Sequence, residues 1–129
     1  MSTKRALAEF GRVAVTPLAA LLALAVLTQA YLAGVAAVVN ADYWSLHKSW
    51  IAIFQWLSVP LVPVTWAGRR DPTTRWMSLV PIVLIATQYS TIHLALRHGV
   101  SWLAGLHAVI GFVLFGTLVL LVSRSRNVA

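Results

Sequence analysis

Four histidines, His47, His93, His98 and His107, are the side chains here best suited to bind a metal or relay a proton. All four fall toward the same end of an otherwise largely apolar chain. An imidazole at membrane depth is costly, and it usually faces a partner, a cofactor or a pathway. His47 and His107 stand out because they recur in matching contexts. Thr28-Gln29 returns as Thr87-Gln88, and Leu46-His47 returns as Leu106-His107. The glutamine-to-histidine spacing is 18 residues in the first half and 19 in the second. His93 and His98 have no histidine counterpart, standing opposite Gly34 and Val39. The repeat therefore selects one pair of imidazoles, and the chemistry that fits such a pair is axial ligation of a haem.

The elements that hold this pair follow from composition. Of 129 residues, 60% are hydrophobic, and mean hydropathy is +0.82. A soluble domain of this size has no interior large enough for that much apolar surface. Four apolar stretches, 13–39, 43–66, 76–96 and 100–122, each approach the ~20 residues a helix needs to cross the hydrocarbon layer. No alternating pattern appears, and in lipid the backbone must satisfy its own hydrogen bonds, so helices are expected. Lys4, Arg5 and Arg12 precede the first stretch, and Val39-Asn40-Ala41 resembles a cleavage site. The apolar run is nevertheless too long for the core of a signal peptide, and we expect it to be the first span.

The connections Asn40-Ala41-Asp42, Gly68-Arg69-Arg70-Asp71-Pro72 and Arg97-His98-Gly99 are short. Short loops make consecutive helices antiparallel neighbours. The expected fold is all-α: one domain over residues 1–129, an up-down-up-down four-transmembrane-helix bundle. A real repeat would be parallel, two helical hairpins related by an axis along the membrane normal. His47 and His107 would then face each other at similar depth. Pro60, Pro63 and Pro81 are expected to kink spans two and three. Ala30 with Gly34, and Ala33 with Ala37, form small-residue pairs expected to pack within the molecule.

The net charge is +7. Eight basic residues (Lys4, Arg5, Arg12, Arg69, Arg70, Arg75, Arg124 and Arg126) fall on one side of the four-span arrangement, and two, Lys48 and Arg97, on the other. Basic residues favour the cytoplasmic side, so both termini are expected there, in the cytoplasmic (inner) membrane of a bacterium. The charge is thereby assigned to topology, with lipid headgroups as partners and no nucleic acid. Trp44 and Trp102 at one interface, and Trp66 and Trp76 at the other, fit an aromatic belt.

The absence of cysteine excludes thiolate metal sites, iron–sulfur clusters and covalently attached haem. Glu9, Asp42 and Asp71 all lie outside the spans, which counts against cation-coupled transport. A histidine-lined route for a transition metal is a minor alternative. No phosphate loop, HExxH or nucleophile elbow is present, so an electron-transfer protein or subunit is favoured over a stand-alone enzyme.

Residues three and four apart share a helical face. Around His107 these are Ala104, Ala108, Gly111 and Phe115, a largely small surface against which a flat ring can lie. Around His47 they are Tyr43, Trp44, Trp50, Ile51 and Phe54, which can clamp one. Lys48 and Arg97 are the basic residues available to haem propionates, although either alone also fits an interfacial, snorkelling side chain. Gln29 and Gln88 are expected in interhelical hydrogen bonds, with quinone contact as the sharper alternative.

The order of four short-looped spans with Gln29, His47, Gln88 and His107 resembles small b-type membrane cytochromes. It is also similar to a bacterial family of four-span proteins that carry glutamine in spans one and three and histidine in spans two and four. In such proteins a glycine often follows the histidine by four residues. His107 and Gly111 keep that pattern, whereas His47 is followed by Ile51. The resemblance implies non-covalent haem b and electron transfer, in exchange with quinone or within a larger respiratory or redox complex. A haem-free accessory subunit of a membrane complex is the alternative expectation.

Overall fold

A computed structural model describes residues 2–126. Six α-helices build four rods: α1 (Thr3–Val38), α2 (Tyr43–Phe54), α3 (Ser58–Ala67), α4 (Pro72–Met77), α5 (Val80–His98) and α6 (Trp102–Arg126). A 3-10 turn at Gln55–Leu57 joins α2 to α3. The rods Thr3–Val38, Tyr43–Ala67, Pro72–His98 and Trp102–Arg126 are all long and apolar enough to cross a membrane. The chain is thus an all-α, multi-pass membrane protein. The basic segment before residue 13 is not a separate arm, because α1 begins at Thr3. The polar segment after residue 122 likewise continues α6 to Arg126.

Each interruption has a proline behind it. Pro60 has no N–H for the carbonyl of Trp56, and its ring crowds that carbonyl, which lies in the Gln55–Leu57 turn. Pro81 stands in the same relation to Met77, where α4 ends. Pro72 opens α4 at a position where no N–H is needed, and Asp71 caps it by accepting from the Thr74 amide at 3.0 Å. Gly99 ends α5 with φ +68°, a left-handed conformation cheap only for glycine.

The helices pack as a ring. α1 lies against α2, α3 and α6, and α6 lies against α1 and α5. Spans two and three meet chiefly through α3, toward the end of the bundle that carries the arginine-rich turn. The core is concentrated in that half, around Val15, Ala19, Leu22, Leu61, Leu114, Leu118 and Leu121, all fully or almost fully buried. Phe112 and Leu96 are among many large apolar side chains left exposed on the outside, as lipid contact requires.

Two backbones approach closely at this arginine end. A Cβ on Gly11 would stand 2.4 Å from the Gly68 nitrogen, and one on Gly68 would stand 2.8 Å from the Arg12 nitrogen. Helices in lipid associate by such small-residue packing. The small pairs singled out from the sequence do not serve this purpose: Gly34 has no atom within 4 Å of a notional Cβ, and Ala37 is exposed. Ala30 and Ala33 border open space in the histidine half of the bundle rather than another backbone.

Candidate functional site

Where the rods diverge, the histidine half holds a cavity of about 390 Å³. Its walls come from all four spans. Val26, Leu27, Ala30 and Ala33 belong to α1, and Ile51 and Phe54 to α2. Ala108, Gly111, Phe112, Leu114 and Phe115 belong to α6. The polar groups on its wall are Gln29, His47, Gln88 and His107, the four residues that the repeat pairs.

The two halves make the same contact. His47 Nδ1 donates to the Gln29 backbone carbonyl at 3.2 Å, and His107 Nδ1 donates to the Gln88 carbonyl at 3.1 Å. Thr28 and Thr87 also match, each hydroxyl bonding a carbonyl one turn earlier in its helix. A carbonyl on Nδ1 fixes the tautomer and leaves Nε2 as the ring nitrogen with a lone pair. The same arrangement raises the basicity of an imidazole that binds metal.

The equivalence breaks at the glutamine side chains. The Gln29 amide nitrogen lies 2.9 Å from His47 Nε2, which accepts its hydrogen. The side-chain oxygen of Gln29, Oε1, is buried and has no hydrogen-bond partner. The Gln88 amide instead lies over Gly111, whose notional Cβ would meet it at 3.2 Å. Ile51 occupies the place of Gly111 in the first half. A branched side chain leaves no shelf there, and the Gln29 amide turns to the imidazole. The departure at Ile51 thus has a physical consequence: one Nε2 is capped and the other is not.

The remaining sequence candidates are placed as follows. Trp44 sits edge-on to His47, with ring centroids 5.3 Å apart at 81°. Trp50 turns away from this cavity and donates its indole N–H to the Ala25 carbonyl at 2.9 Å, bolting α2 to α1. Ala104 and Lys48 are exposed and do not line the cavity. Arg97 reaches back along α5 toward His93 Nε2 at 3.4 Å, a weak contact at an exposed position. His93 and His98 are exposed and outside the cavity. Sequence reasoning missed Val26, Leu27, Ala30, Ala33, Phe112 and Leu114 as wall residues. Only the first two glutamine-to-histidine contacts could have signalled them, by fixing which face of α1 turns inward.

Residues 29–92 match DUF6220, a family of unknown function. The matched segment runs from Gln29 through His47 and Gln88, and it stops short of His107. No curated protein matches the chain. No solved structure matches it either. The likeness to b-type cytochromes therefore rests on the histidine pattern alone.

A haem would meet a chemically suitable donor set here. Two imidazoles with Nδ1 engaged line one apolar cavity, whose volume falls in the ~300–1,000 Å³ range of small-molecule sites. Among the described residues, no three His, Cys, Asp or Glu side chains come together as they would around a free ion. The fit has one requirement: Gln29 must release His47 before both nitrogens are available.

Proposed function

We propose that this protein binds one haem b non-covalently between His47 and His107 and works in electron transfer. The observation that carries the reading is that both imidazoles line a single apolar cavity, each oriented by a backbone carbonyl through Nδ1. Bound haem would supply one-electron iron chemistry, while the protein sets its environment through ligands and burial. The chain's own contributions are specific. Gln29 and Gln88 hold the imidazole planes. Gly111, Ala108, Ala30 and Ala33 give a low wall beside them. Lys48 and Arg97 stand at the same end of the bundle as the histidines and would be available to the carboxylates of a bound ring. The charge bias supports an orientation with that end on the extracytoplasmic side of a bacterial inner membrane. A single site near one face suits exchange with a membrane quinone or a partner subunit.

Purified protein from haem-supplied cells should show a Soret band and a reduced-state alpha band. His47→Ala and His107→Ala should each abolish or shift those bands. Lys48→Gln with Arg97→Gln should weaken haem retention without moving them. If the folded wild-type protein stays colourless after reconstitution with haemin, the reading fails. The accessory-subunit alternative, in which the histidines only join helices, would then take its place.

A further inference from the structure

At the opposite end of the bundle, the polar groups are almost all accounted for. Thr65 donates to the Leu61 carbonyl, Ser78 to that of Arg75, and Ser125 to that of Leu121. Thr16 donates to Ser125, and Thr74 bonds Asp71. The exceptions are the Nε of Arg75 and, above all, Arg70. It is only 4% exposed, yet its guanidinium makes one hydrogen bond, from Nη2 to the Arg12 carbonyl at 2.7 Å. Its Nε and Nη1 are buried without a partner. Asp71, next in the chain, forms no ion pair with it, and its two oxygens accept from the Thr74 amide and hydroxyl.

A buried guanidinium cannot shed its charge, and leaving it unpaired costs several kcal/mol. Whatever completes Arg70 must bring negative charge and acceptor oxygens. The same side of the four-span arrangement carries Arg12, Arg69, Arg75 and Arg124 against the acids Glu9 and Asp71, an excess of positive charge. Arg75 also has a buried, unpartnered Nε, and its guanidinium carbon lies 5.8 Å from the centre of the Trp66 ring. Trp66 and Trp76 pack edge to face at 5.8 Å and are both exposed, forming an indole surface suited to acyl chains at the membrane boundary.

We propose that Arg70, held by the Arg12 carbonyl in the Gly68–Asp71 turn, binds a phosphate group at the arginine end of the bundle. Arginine is suited to this role because its planar donors match phosphate oxygens. The group comes either from a phospholipid headgroup or from free phosphate. The nitrogens are enclosed, so entry moves the turn locally. This site is independent of the haem reading.

The test uses the full chain in a phosphate-free maltoside detergent and buffer. Thermal unfolding is followed with short-chain phosphatidylglycerol, with the matching diacylglycerol, and with inorganic phosphate. Phosphatidylglycerol should raise Tm by several degrees and diacylglycerol should not. A matching rise with inorganic phosphate would show that the phosphate group suffices, and no rise would assign the site to lipid. The effect should persist in Arg5→Gln and fall by at least half in Arg70→Gln and in Arg70→Lys, which retains the charge but not the planar fork. Native mass spectrometry of the wild-type protein, which needs no variant to fold, should show phosphatidylglycerol retained in preference to diacylglycerol or, for a free-phosphate site, one phosphate retained. Failure of both probes to stabilise the wild type or be retained by it would overturn the proposal. So would an undiminished shift in both folded Arg70 variants.

Discussion

Replacing Gly11 by alanine should destabilise this protein, although the same change at Gly34 or Gly116 should not. The added methyl would lie 2.4 Å from the Gly68 nitrogen, 2.7 Å from the Val64 carbonyl oxygen and 2.8 Å from the Gly68 Cα. Ordinary contact begins near 3.4 Å, so α1 and the end of α3 must part by about 1 Å. The obstacles are backbone atoms, which cannot rotate aside. Overpacking of this kind costs about 1–3 kcal/mol, and rigid neighbours put Gly11 at the upper end. Alanine returns about 0.8–1 kcal/mol of helix propensity, leaving a net loss of about 2 kcal/mol. Gly34 and Gly116 have nothing within 4 Å, so alanine there should cost nothing, and it should gain up to about 1 kcal/mol. Gly68→Ala meets Arg12 and Gly11 backbone at 2.8 Å and should fall between. The double variant Gly11→Ala/Gly68→Ala should cost less than the two singles together, because one separation accommodates both methyls. Reversible unfolding in detergent, by heat or by a titrated denaturing detergent, measures the series. If Gly11→Ala proves as stable as Gly34→Ala, the backbone approach does not exist in the folded protein. Additive costs in the double variant would show that the glycines do not face each other.

Further expectations concern the site and the turns. Ile51→Gly should open a shelf for the Gln29 amide and uncap His47, raising haemin affinity. Gly111→Ile should press Gln88 toward His107 and lower it, with absorbance titrations reading both. Asp71 should make stability pH-dependent. The Thr74 hydroxyl, and then the Thr74 N–H, hold its carboxyl below the usual range. Its contribution is therefore complete above the unfolded carboxylate value of about 3.9, and it is lost as pH falls through the lower folded value. Asp71→Ala should remove that acid dependence and cost about 0.5–2 kcal/mol, toward the lower end because the cap is exposed. Gly99→Ala should cost about 1–2 kcal/mol, since φ is +68° there. Arg69→Gly should be neutral or stabilising at φ +52°. Thermal melts of the two turn variants should move in opposite directions or, at the least, differ by that amount.

Hydropathy alone gave four spans, and Pro60 and Pro81 marked two places where a helix is interrupted. Hydropathy measures transfer into lipid, and a proline inside a helix removes one backbone hydrogen bond, so both read locally, although Pro63 lies within unbroken α3 and Pro17 within unbroken α1. Asp71-Pro72 and Gly99 were legible for the same local reason. The glutamine and histidine pairs were also legible, because a repeat records equivalence before any contact is known. Which side of each helix turns inward was not. In lipid both sides of a span are apolar, and no hydrophobic stripe marks the packed face as it does in water. Gly34 therefore read as well as Gly11, yet only Gly11 meets another backbone. Trp50 read as a wall of the site, yet it reaches the Ala25 carbonyl on α1. The difference between Gly111 and Ile51 was visible as two letters. Tertiary structure alone turned it into one parked amide and one capped imidazole, because the free volume beside a helix is set by what packs against it.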